Sequence, residues 1–105
     1  MIEEVMEITL VKKALDTNNP ITEEGEPNIL QTENTVYARN ISIRQSEYYS
    51  ASDKGFQPDF CFEINGFEYD GERFCVIDNI TYEIYRTYQK QNGEIMELYL
   101  RSKLR

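Results

Sequence analysis

The chain has 105 residues, the size of one domain with a single modest core and no room for a separate substrate domain. It contains no His, which removes Ser-His-Asp and Cys-His catalysis and the usual imidazole metal ligand, and leaves acid–base work to Asp, Glu, Tyr or Lys. Its net charge of −8 argues against gripping nucleic acid, because polyphosphate binding depends on Lys and Arg displacing counterions; a wall of this sign still lets a DNA strand slide past.

Residues 1–4, Met-Ile-Glu-Glu, are acidic and lead into no long apolar run, so neither a leader sequence nor a membrane helix is expected. Residues 5–13 alternate, with Met6, Ile8 and Leu10 on one face, which predicts a half-buried strand. Residues 14–35 read as a long exposed acidic loop, with Asn18, Asn19, Pro20 and Gly25 among them and Glu23, Glu24 and Glu26 as its charged centre. Loops of this length in small domains are functional or disordered; mobility in the free chain and ordering on assembly are expected here.

Val36 to Ile43 reads as a second strand, with Asn40 marking a bulge. Ser46-Glu47-Tyr48-Tyr49-Ser50-Ala51 predicts a short helix capped by Ser46 and stopped by Gly55, within a loop spanning 44–58. Further strands are expected over 59–65 (Phe60, Phe62 and Ile64 on one face), 72–77, 80–88 (Tyr82 and Ile84) and 94–101 (Met96, Leu98 and Leu100). Asp70-Gly71, Asp78-Asn79 and Gln91-Asn92-Gly93 supply the turns. Strict alternation places Tyr85 opposite Tyr82 and Tyr88, and the tyrosines 82, 85, 88 and 99 read as strand-pairing residues. The sum is a mainly β domain over residues 1–105, a small antiparallel β-barrel of about six strands with one short helix and long loops.

Cys61 and Cys75 sit among apolar neighbours and read as reduced, partly buried thiols, a disulfide being the alternative. Asp59, Glu63, Glu68, Asp70, Glu72 and Asp78 lack the spacing of a calcium loop and read as solvated carboxylates. No metal or cofactor is expected.

Four stretches in order resemble the phage head–tail joining family, also called head closure or head–tail adaptor proteins. Val36-Tyr37-Ala38-Arg39 resembles its first motif strand, and Ser46 to Ala51 its helix. Gly55-Phe56-Gln57-Pro58-Asp59-Phe60 with Phe62 resembles the lead-in to the next strand. Tyr82 to Tyr88 followed by Glu97-Leu98-Tyr99-Leu100 resembles the closing hairpin. The chain departs from the family at Asn40, where an apolar residue is usual, and in lacking a Gly near Arg44 or Gln45. The resemblance implies a non-enzymatic ring subunit around the DNA channel, with the portal or adaptor ring and tail proteins as partners. It places the protein in the virion connector and, during assembly, in the host bacterial cytoplasm. Tyr48, Tyr49, Phe56, Arg44 and Gln45 are then candidates for subunit contact. Glu23, Glu24, Glu26, Asp53 and Lys54 are candidates for a channel or assembly loop. A tail-terminator or tail-completion protein and, from another class, an oligonucleotide-binding barrel are the competing readings; the latter has aromatics enough but few, scattered cations.

Overall fold

A computed structural model describes residues 4–102; the expectation about a leader falls almost wholly on residues outside that range. Six antiparallel strands close into a barrel: β1 (Glu4–Leu15), β2 (Ile29–Ile41), β3 (Phe60–Asn65), β4 (Phe74–Ile77), β5 (Ile80–Lys90) and β6 (Ile95–Ser102). Around the barrel they run β1-β2-β3-β6-β5-β4. One helix, α1 (Gln45–Asp53), joins β2 to β3, and a 3₁₀ turn (Gly66–Glu68) follows β3.

The alternation read from the sequence is the alternation of the barrel wall. Ile8, Leu10, Val36, Ala38, Phe62, Ile64, Cys75, Ile77, Ile84, Met96, Leu98 and Leu100 fill the interior, with Met6, Phe60, Tyr69 and Tyr82 packed against them. Burying a Leu, Ile or Phe side chain contributes about 1.5–3 kcal/mol, so this single cluster is the main source of stability. Asp78 and Asn79 both take positive φ (49° and 65°), the type I′ geometry whose twist matches the flanking strands. Among the described residues, no helix is long and apolar enough to cross a membrane.

Three expectations need correction. The segment 14–35 is not one loop: β1 runs on to Leu15 and β2 begins at Ile29, and the two pair in unbroken register from Glu4↔Asn40 to Leu15↔Ile29. Strand periodicity is lost there because the hairpin leaves the barrel, so neither face is buried and neither needs to be apolar. The radius of gyration is 15.6 Å with a longest extent of 53 Å, against about 13 Å expected for a compact chain of this size. Second, the bulge is not at Asn40, where pairing is continuous; it lies in β5, between Ile84 and Arg86. Third, Ser46 does not cap α1. Arg44 occupies that position without a side-chain hydrogen bond, while Gly55 ends the helix as expected: at φ +88° it lets Phe56 N–H reach the Ala51 carbonyl (3.1 Å) and its own N–H reach that of Ser52 (3.0 Å), a Schellman stop.

Candidate functional site

Two features stand outside the barrel core, one at each end of β2. The thirteen residues of that strand span about 40 Å, so the hairpin tip and α1 are far apart along it. The proposed assembly residues Glu23, Glu24 and Glu26 therefore do not share a surface with Asp53 and Lys54. All five are exposed, but the first three ride the tip and the last two the end of α1.

The tip, residues 16–28, is folded by its own polar groups. Asp16 Oδ1 accepts the backbone N–H groups of Asn18 and Asn19 at 3.0 and 3.2 Å. Asn28 Nδ2 donates to Asp16 Oδ2 at 3.2 Å and to the Asn19 carbonyl at 3.0 Å. Backbone bonds from Thr22 N–H to the Glu26 carbonyl (2.8 Å) and from Asn28 N–H to the Pro20 carbonyl (2.9 Å) complete it. Leu15, Ile21, Ile29 and Leu30 are each about half exposed or more along this arm, an apolar set with no core of its own to enter.

At the other end, α1 covers the outer wall over β3, β5 and β6. Glu47 and Ala51, one turn apart, share its inward face. Ala51 is buried, and the Glu47 carboxylate takes two hydrogen bonds, from Tyr85 Oη and from Arg86 Nη2, each 2.7 Å. The β5 bulge makes this possible. It sets two consecutive residues against the single Tyr99, so Tyr85 and Arg86 both lean outward. The guanidinium lies 4.2 Å from the Tyr99 ring centroid. Tyr88 and Lys90 then take the outer face as well, and the expected opposition of Tyr85 and Tyr88 is wrong. The sequence held a sign of this: continued alternation from Tyr82 and Ile84 would have pointed Arg86 into the core.

Of the expected contact residues, Phe56 is a packing residue. It meets Tyr85 edge to face at 4.7 Å and lies under the Arg101 guanidinium at 4.4 Å, while Arg101 Nε holds Glu83 at 2.6 Å. Tyr48 and Tyr49 are exposed, the latter 64 %, and with Phe56 they line a shallow groove of about 310 Å³. Gln45 Nε2 donates to Tyr49 Oη at 3.2 Å, and Arg44 is exposed.

Next to Tyr99 on the outer wall lies an ion cluster that sequence reasoning missed. Glu63 and Glu97 stand directly opposite on β3 and β6, an unfavourable like-charge pair by itself. Lys90 bridges them, and Arg39 also holds Glu63. Tyr99 Oη donates to Glu97 at 2.9 Å. Burial opposes ionisation of Glu97, but Tyr99 and Lys90 outweigh it and hold the carboxyl below its ordinary value. Glu63 and Glu72 are buried, not solvated as expected; Glu72 accepts the Asp70 N–H at 2.7 Å. The Tyr82–Tyr99 set divides: Tyr99 is buried, Tyr82 and Tyr85 half-buried, Tyr88 exposed.

Cys61 and Cys75 are unbonded and buried on opposite sides of the wall. Cys75 is in the barrel core, whereas Cys61, next to inward-facing Phe62, points out beneath α1. They cannot bridge. Burial pushes both thiols up to about 12, so neither is a nucleophile near neutrality. A second groove, of about 390 Å³, opens where β2 and β3 diverge, between Val5, Tyr37, Arg39, Asn65 and Ile95. Among the described residues, no three of Cys, Asp and Glu are grouped to hold a metal ion. No protein-family model matches the chain, and a search of curated proteins returns no match.

Proposed function

We propose that this chain is a structural subunit of a phage head–tail connector. In this reading, copies assemble as a ring between the portal or its adaptor ring and the tail, surround the DNA and help close the channel after packaging. The observation that carries the reading is the projecting β1–β2 arm, which extends past the barrel's own core with Leu15, Ile21, Ile29 and Leu30 uncovered. An isolated barrel gains nothing from such an arm; a subunit that must reach its neighbours does.

Charge supports it. Several of the cations are engaged by carboxylates: Arg86 by Glu47, Arg101 by Glu83, Lys90 by Glu63 and Glu97, Lys12 by Asp70. They are poorly placed to grip phosphate, which suits DNA that is threaded without sequence recognition. The reading assigns the chain no chemistry and no cofactor, and places it in the virion and, before that, in the host cytoplasm.

Electron microscopy of the protein mixed with portal assemblies and with tail tubes tests it. Rings at the portal end are the expected result. Rings on tail tubes alone would make it a tail terminator. Salt-dependent binding to single-stranded DNA with no ring on either would move it to the oligonucleotide-binding class.

A further inference from the structure

A two-stranded hairpin has two edges, and on the arm both are open. β1 pairs with β4 only from Thr9 to Val11, so the outer edge of residues 12–15 has no backbone partner among the described residues. β2 pairs with β3 only from Arg39 to Ile41, so among the described residues its outer edge has no backbone partner from Ile29 to Ala38, where the Asn34 side chain donates through Nδ2 to the Glu68 carbonyl. A two-stranded ribbon is marginal in water, and a long open edge is a template for another strand.

The two edges carry opposite charge. Lys12 and Lys13 lie on β1. From Ala14 through Ala38 there is no Lys or Arg, and β2 carries Glu33. Glu33 lies diagonal to Lys13 across the arm (Lys13↔Gln31, Val11↔Glu33) without forming an ion pair with it: its carboxylate takes Gln31 Nε2 at 3.1 Å, while the Lys13 ammonium sits 5.2 Å from the Phe74 ring centroid. Pairing β1 with β1 would set Lys against Lys, and β2 with β2 Glu against Glu. Pairing β1 of one copy with β2 of the next sets Lys against Glu.

We infer that the arms of successive copies pair edge to edge, β1 of one against β2 of the next. Direction agrees with charge. Hairpins standing side by side and pointing the same way alternate up and down, so each new junction is antiparallel like the junction inside each arm. The contact is heterologous, one edge meeting a different edge, and such contacts close into rings when the rotation permits. Leu15, Ile29 and Leu30 then gain neighbours from the adjoining arm. This inference rests on reading the chain as a ring subunit and adds what holds the ring together.

Charge exchange on the full chain tests it. Lys13→Glu and Glu33→Lys are each expected to weaken self-association in sedimentation by roughly tenfold, the effect of turning an opposite-charge cross-strand pair into a like-charge one. An equal mixture of the two variants is expected to regain it, since copies in alternating order again set a cation against a carboxylate at every junction. An effect confined to each arm's own folding cannot be rescued by mixing. In the wild type, amide exchange at residues 12–15 and 29–35 is expected to slow as concentration rises, whether or not the variants fold. A wild type that stays monomeric from about 1 µM to about 1 mM, arm amides indifferent to concentration, or a mixture that regains nothing overturns the inference. Arm pairing without rings on the portal would leave it standing and remove the connector reading; portal rings with unprotected arms would do the reverse.

Discussion

Glu47 ties the helix to the barrel. Its two oxygens are used by different residues, Tyr85 and Arg86, and its side chain is only 10 % exposed, so water replaces neither bond cheaply. Tyr85→Phe removes one hydrogen bond to a charged acceptor and is expected to lower the unfolding free energy by about 1.5 kcal/mol. Glu47→Ala strips both partners and is expected to cost more, about 2–4 kcal/mol; urea titration reads each. Glu97 gives an acid limb. Its folded-state value lies below the unfolded value near 4.5, so as pH falls the unfolded chain takes up the proton first. The contribution is full above the unfolded value and is lost as pH drops through the folded one. Glu97→Gln is expected to flatten the fall in urea midpoint below that pH. The thiols behave oppositely in alkali. Their folded values stand near 12 against 9.0 unfolded, so the stability they contribute is complete below about pH 9 and lost between the two values. At neutral pH a thiol-specific disulfide reagent is expected to label neither Cys61 nor Cys75 until the chain is unfolded.

The strands and their turns follow rules that a chain obeys locally. Period-two apolar residues mark the walls, and the pairs Asp78-Asn79 and Asn92-Gly93 tolerate the positive φ that tight hairpins demand. Glycines separate two kinds of constraint. At Gly55 a Cβ meets open space and only the backbone resists, so Gly55→Ala is expected to cost about 1–2 kcal/mol. At Gly66 a Cβ would stand 2.0 Å from the Gly93 carbonyl oxygen, backbone that cannot step aside. Gly66→Ala is expected to lose more than about 3 kcal/mol, or to part the 3₁₀ turn from the β5–β6 turn; denaturant midpoints of the two variants rank them. The second constraint is invisible in one sequence, because Gly66 and Gly93 meet only after β3 and β6 have paired.

The whole molecule is a barrel with an appendage, and the two are energetically separable. None of residues 12–32 belongs to the interior cluster, and the ion pair between Lys12 and Asp70 is exposed and worth about 0–1 kcal/mol. Replacing residues 12–32 by Asn-Gly, which joins the paired Val11 and Glu33, is expected to leave a folded barrel within about 1 kcal/mol of the parent and to abolish self-association. Thermal unfolding and light scattering of the shortened chain check both halves.

The barrel was legible before any coordinates because burying one face of each strand imposes an alternation that Ile8, Leu10, Phe62, Ile64, Met96, Leu98 and Leu100 display. The placement of Gly55 and of the hairpin turns was legible for a similar reason, since backbone conformation is a local property. Folding alone decided the rest. The arm was unreadable because a strand without a buried face has no pattern to show. The β5 bulge showed in the sequence only as a charged Arg86 at an inward-reading position. The convergence of Tyr85 and Arg86 on one carboxylate of α1 and the meeting of Glu63 with Glu97 under Lys90 depend on which elements lie side by side, and long-range pairing leaves no trace in the spacing of residues along a single chain.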